Sequence, residues 1–140
     1  MTTQPTIHSL ATKMAISSLW ILALFNNAFR DIHEFLRADF MEWLLETTTN
    51  GGPGISNETL ISSAIFYQIP LTMIFLTSAL GAKASRTANL IISPIFMLGI
   101  IAGNYYASVP NDTDDFIFFG AVIIAMLAVI WYAWNWSTDS

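Results

Sequence analysis

Residues 116–138 read FIFFGAVIIAMLAVIWYAWNWST, which is 23 consecutive positions without Asp, Glu, Lys or Arg. A helix needs roughly 20 mostly apolar residues to cross a hydrocarbon core about 30 Å thick. One such run could still be a buried core helix. Two more of the same kind precede it: residues 59–82 give 24 charge-free positions, and residues 87–111 give 25. Three runs in a chain of 140 residues leave too little polar sequence to cover them. The whole chain is 54% hydrophobic and 11% charged, against about 25% charged in ordinary soluble domains.

Working back from these three, a fourth and more polar candidate appears. Met14 to Phe29 is charge-free for 16 positions, bounded by Lys13 and Arg30. Those two flanks are about 25 Å apart along a helix, and their long stems can reach the interface. No small-x-small cleavage pattern follows, so an uncleaved first span is expected rather than a signal peptide. The sequence therefore predicts an all-α protein. It is a four-transmembrane-helix bundle in a single integral membrane domain over residues 1–140, with spans at about 12–32, 59–80, 87–106 and 116–134.

The connections have their own chemistry. Asp39 with Glu42 three residues later has the form of a capping box. Phe40, Met41, Trp43, Leu44 and Leu45 alternate with Glu42 and Glu46. This predicts a short interfacial helix at about 39–47, lying on the membrane surface after the first span. TTTNGGPGISN (47–57) is a loop whose Ser56 or Asn57 can cap the next helix. GAKASR (81–86) is a basic connection. SVPNDTDD (108–115) is an acidic turn, and its Asp112, Asp114 and Asp115 are expected to be solvated. Trp131, Tyr132, Trp134 and Trp136 read as an aromatic belt at one interface, with Tyr105 and Tyr106 at the other. Lys13, Lys83 and Arg86 lie on one side against Arg30 and Arg37 on the other. This places a multi-pass protein in the cell membrane with both termini cytoplasmic.

Composition also excludes. With no cysteine there is no disulfide framework or thiolate metal site. With two histidines, an imidazole metal site is not expected, and no cofactor motif is present. A net charge of −5 argues against nucleic acid. No nucleophile–base pair, phosphate loop or multi-carboxylate motif is present, so an enzyme is not expected. The lipid bilayer is the evident partner, with a homo-oligomer as a further possibility.

The candidate site is NNAFRDIHEFLR, residues 26–37. Trp20, Ala23, Asn27, Arg30, Glu34 and Arg37 share one helical face, with Asn26 and Asp31 beside it. A charge at the centre of a span costs at least about 2.5–3.5 kcal/mol, so this stripe faces other helices, water or headgroups. One reading is a ligand-binding cavity. Asn26, Asn27 and Arg30 would hold an anionic group, joined from the second span by Gln68 and Thr72 beside Pro70, with Tyr67 nearby. Asp31 and Glu34 are then a possible proton or ion pair. The other reading is a span ending in local pairs: Arg30 with Glu34, Asn27 with Asp31, and Glu34 with Arg37. His33 lacks a second strong ligand for metal or haem. Gly99 and Gly103 form a small-x-x-x-small helix-packing pattern, within the bundle or between subunits. Asn89 and Asn104 are expected to bond locally.

LWILALFNNAFRDIHEF (19–35), IPLTMIFLTSALGAKASRTANLI (69–91), DDFIFFG (114–120) and IWYAWNW (130–136) together resemble a family of uncharacterised small prokaryotic four-helix membrane proteins, broadly DoxX-like. The matching positions include Leu19-Trp20, Asn27, Asp31, Ile69-Pro70, Met73, Leu76, Arg86, Ala88-Asn89, Asp115 and Ala133-Trp134. The resemblance implies four spans and no assigned chemistry. It also implies a glutamate where this chain has Gln68, and a further acid near Gly120 to Val122. Both departures weaken a proton-linked mechanism carried over from relatives. Two functions remain: a small solute- or ion-binding or transport protein with a polar site between helices, and an accessory or structural protein acting through helix contacts.

Overall fold

The structure is a computed structural model, and it describes residues 7–51, 56–107, 113 and 115–137. Five helices account for nearly all of these: α1 (Ile7–Phe35), α2 (Ala38–Thr49), α3 (Asn57–Ala79), α4 (Ala82–Ala107) and α5 (Asp115–Trp134). Among the described residues there are no strands. All except α2 are long and apolar enough to cross a membrane. The protein is an all-helical bundle with four candidate membrane spans.

The helices overrun the limits set by hydropathy, because packing rather than charge ends them. Ser9 and Thr12 are buried and carry α1 back to Ile7. α4 starts at Ala82, five residues before Thr87. The Ser85 hydroxyl donates to the Thr77 carbonyl at 3.1 Å, and Arg86 donates to the carbonyls of Ala133 and Trp134 at 3.0 and 3.2 Å. The basic connection is thus the first turn of α4. Only Leu80 and Gly81 separate it from α3.

α3 begins as its sequence predicts: Ser56 Oγ accepts the Thr59 N–H at 3.1 Å, an N-cap bond. The helix continues through the buried Pro70 without interruption. The capping box of α2 does not form. Arg37 stands at the N-cap with no side-chain bond, and Asp39 falls inside the first turn. Asp39 accepts from Arg37 Nη2 at 2.9 Å and from the Phe40 N–H at 3.0 Å. The Arg37 guanidinium holds the Asp39 carboxyl below the usual carboxylate range. Leu44 is the buried residue of α2, and Phe40 meets both Phe35 and Trp43. At its far end Gly51 has φ of 76°, the left-handed conformation that glycine adopts without steric penalty.

α1 packs along α5 and α3, while α4 packs on α5 and only thinly on α3. The core is a column of Ile16, Trp20 and Ala23 from α1, Met73 from α3, Phe96 and Ile100 from α4, and Val122, Ala125, Met126, Val129 and Ala133 from α5. Trp20 meets Phe96 edge-on at 5.5 Å, and Phe66 stacks on the same ring at 4.7 Å. The outward faces remain apolar, with Phe116, Ile117 and Ile124 all more than two-thirds exposed. A helix that is greasy outside as well as inside suits lipid surroundings.

Two aromatic and acidic expectations change. Trp131, Tyr132 and Trp134 are exposed, as a belt requires, but Trp136 is buried with the core. Its helix has ended by then, so the indole folds under the bundle. Asp115 is buried rather than solvated, because α5 begins with it and turns it inward. Asp112, Asp114 and the side chains of Tyr105 and Tyr106 lie outside the described residues.

Candidate functional site

Polar side chains gather at two levels in the bundle. The first cluster ties together α1, α3 and α5 at the acidic end. Arg30, about a turn and a half from the end of α1, forms an ion pair with Asp115 at the start of α5. A carboxylate in the first turn of a helix is favoured by the helix dipole, so this position suits Asp115. Asp31 lies 3.8 Å from the same guanidinium and accepts the hydroxyl of Tyr67, which α3 contributes. Asn27, buried one turn below, lies beside Tyr67. Glu34 is buried and lies 3.7 Å from Arg37, which in turn holds Asp39.

Two carboxylates therefore share one guanidinium, and they differ in access. The Asp115 side chain is 7% exposed and that of Asp31 is 43% exposed. Arg30 is satisfied first by the buried partner. Asp31 has a tyrosine hydroxyl and a second-best claim on the charge.

The second cluster lies deeper along α1. Trp20 Nε1 donates to Asn89 Oδ1 at 2.7 Å. Asn89 Nδ2 donates to Thr77 Oγ1 at 3.0 Å and to the Ser85 carbonyl at 2.8 Å. One amide thus links α1, α3 and α4. Nearby burial is less complete in its bonding: Ser93 Oγ and Trp136 Nε1 are buried without hydrogen-bond partners among the described residues. Ala23, Phe96, Val122 and Met126, each at most 2% exposed, form a dry apolar core alongside these polar groups.

The residues singled out from sequence separate in the structure. Asn27, Arg30, Asp31 and Tyr67 come together. Asn26 turns back to bond the Leu22 carbonyl at 2.8 Å. Gln68 and Thr72 face the other way, into a groove of about 500 Å³ between α3 and α4. Gly99 lies against the Phe66 ring, while Gly103 is exposed with open space around it. Arg30 takes Asp115 as its close partner rather than Glu34 of its own helix. Asp115, expected to be solvated, and Asn89, expected to bond locally, instead find partners on other helices, Arg30 for the first and Trp20 and Thr77 for the second. The available signal for Asp115 was its place as the last acid before a charge-free run. For Asn89 it was an amide seven positions inside α4 rather than at its edge.

No curated protein and no solved structure matches this chain. Residues 8–140 match the family of unknown function DUF6326, a match that takes in the five helices, except for Ile7, and both polar clusters. The chain belongs to that family.

Proposed function

We propose that this protein handles protons or a small polar solute across the membrane, with the acidic-end cluster as its loading site and Asp31 as the exchanging group. The observation that supports this is the shared guanidinium: Asp31 and Asp115 both approach Arg30, and Asp31 is much the more exposed of the two. Around this point stand four carboxylates, Asp31, Glu34, Asp39 and Asp115, and two guanidinia, Arg30 and Arg37. The surplus negative charge falls by one when Asp31 takes up a proton. Neutral Asp31 gives up its hold on Arg30, which then belongs to Asp115 alone. The Tyr67 hydroxyl loses its charged acceptor, and with it a polar tie between α1 and α3 weakens. Proton uptake and the α1–α3 contact are linked in this way. Arg30 does not favour a bound anion, since Asp115 already occupies that charge.

The acidic end faces outward in this reading, because Lys13, Lys83 and Arg86 lie at the opposite end. The likeness to small DoxX-like prokaryotic membrane proteins adds four spans and no particular chemistry. The accessory-protein alternative acts through the third and fourth spans, α4 and α5, whose outward faces carry the exposed Ile95, Leu98, Ile124 and Leu127.

The test is proton flux into liposomes carrying the purified protein and an internal pH-sensitive dye. The parent should exceed protein-free liposomes, and Asp31→Asn should reduce the excess at least tenfold. A parent no faster than empty liposomes, with Asp31→Asn affecting only the melting temperature, would reduce the cluster to a structural clasp. The orientation is checked separately in this cysteine-free chain. Glu46→Cys should react with an impermeant maleimide on intact cells, and Lys83→Cys only after permeabilisation.

A further inference from the structure

α3 presents a stripe that no other helix covers among the described residues. Ile61, Ile65, Gln68, Thr72, Phe75 and Ala79 recur at alternating steps of four and three, and all six are exposed. That period is the seam of a left-handed helix pair, the commonest packing of helices in membranes. The thin contact between α3 and α4 leaves the groove beside this stripe, and Gln68 and Thr72 stand on its rim.

Gln68 makes the stripe more than an ordinary lipid-facing surface. It is residue 12 of the 23 in α3, about 17 Å from either end, which is the depth of the bilayer midplane. Among the described residues neither its amide nor the Thr72 hydroxyl has a hydrogen-bond partner. A primary amide carries two donors and an acceptor. Leaving them unmatched in hydrocarbon is strongly unfavourable.

We propose that a second copy of this chain covers the stripe, α3 against α3, with the two Gln68 amides hydrogen-bonded to each other. Copies of one chain insert in the same orientation, so their third helices run parallel and like residues meet across a two-fold axis normal to the membrane. An amide facing its own copy finds both a donor and an acceptor. A single polar residue in an apolar seam also fixes register and partner number. Ile61, Ile65 and Phe75 supply the packing around it, and Ala79 lets the backbones approach at one end. The proposal is independent of the acidic-end cluster, because Tyr67 turns toward α1 while Gln68 turns outward.

The chain contains no cysteine, so single cysteines report cleanly. Ile65→Cys and Thr72→Cys should give oxidative disulfide dimers in native membranes at least tenfold above Ile124→Cys, a control on α5 that is 69% exposed. Adding Gln68→Leu to Ile65→Cys should lower the yield at least threefold, and Gln68→Asn should retain it. Gln68 is exposed, so neither change disturbs the fold; unaltered melting of the purified protein checks this. Equal yields at seam and control positions would overturn the proposal. So would a yield indifferent to Gln68→Leu, or cross-links only to a band of another mass.

Discussion

Asn89 holds the best-satisfied amide in the bundle, and its neighbours depend on it unequally. Truncating it as Asn89→Ala leaves the Trp20 indole N–H and the Thr77 hydroxyl without their partner, along with a void at a site that is 0% exposed. Each buried group so orphaned costs about 1–3 kcal/mol. Trp20→Phe removes only one donor, and Asn89 Oδ1 keeps the Thr77 hydroxyl at 3.4 Å. Asn89→Ala should therefore lower the unfolding free energy in detergent by about 2–4 kcal/mol, clearly more than Trp20→Phe. Equal losses would mean that the indole, rather than the amide, organises the cluster. Ser93→Ala should do the reverse and leave stability unchanged or raised, since it deletes a buried hydroxyl that has no partner among the described residues. At this scale the sequence was half informative. Asn27 and Arg30 stood out because a polar group deep in a span must be accounted for energetically. Asp115 and Asn89 did not, because their partners lie 85 and 69 positions away. Helical periodicity shows which face a residue occupies, and it is silent about which helix will stand opposite.

The elements themselves were more legible than their limits. Four long apolar runs gave four long helices, since lipid-length hydrophobic segments have few alternatives. Their ends moved outward wherever a polar residue found a carbonyl, as Arg86 did. Ser56 capped α3 as expected, whereas Asp39 fell one position inside α2 and paired with Arg37 instead. The Gly99 and Gly103 pattern divides in the same way. A Cβ at Gly99 would come within 2.7 Å of the Phe66 ring, which is stacked on Phe96. Gly99→Ala must displace that stack and should destabilise by about 1–3 kcal/mol. Gly103→Ala meets no atom within 4 Å and gains helix propensity, so it should be neutral or stabilising by up to about 1 kcal/mol. Thermal unfolding of the two variants side by side decides this. If both are equally harmful, Gly103 is covered by something outside this chain.

The whole bundle is closed by different electrostatics at its two ends. At one end, cations cap helices: Lys13 Nζ donates to the Leu80 carbonyl at 2.5 Å and to the Ser78 carbonyl at 3.3 Å, closing α3, while Arg86 closes α5. The same side chains that bear on topology thus also neutralise the negative ends of helix dipoles. At the other end, closure depends on formal charge pairs between helices, chiefly Arg30 with Asp115. Both of those side chains are largely buried, at 17% and 7% exposed, so removing one partner leaves the other charged and desolvated. That loss is typically about 3–5 kcal/mol. Arg30→Asp and Asp115→Arg alone should each destabilise by at least about 3 kcal/mol, because each puts like charges face to face. The exchanged pair, Arg30→Asp with Asp115→Arg, restores opposite charges across the α1–α5 contact. It should recover more than half of the loss, measured as unfolding free energy in a double-mutant cycle. The recovery will not be complete, because Asp31 would then lie beside an aspartate on its own helix instead of an arginine. A double variant no better than the sum of its parts would show that the two side chains are merely adjacent, and that packing along α1 and α5 closes this end unaided.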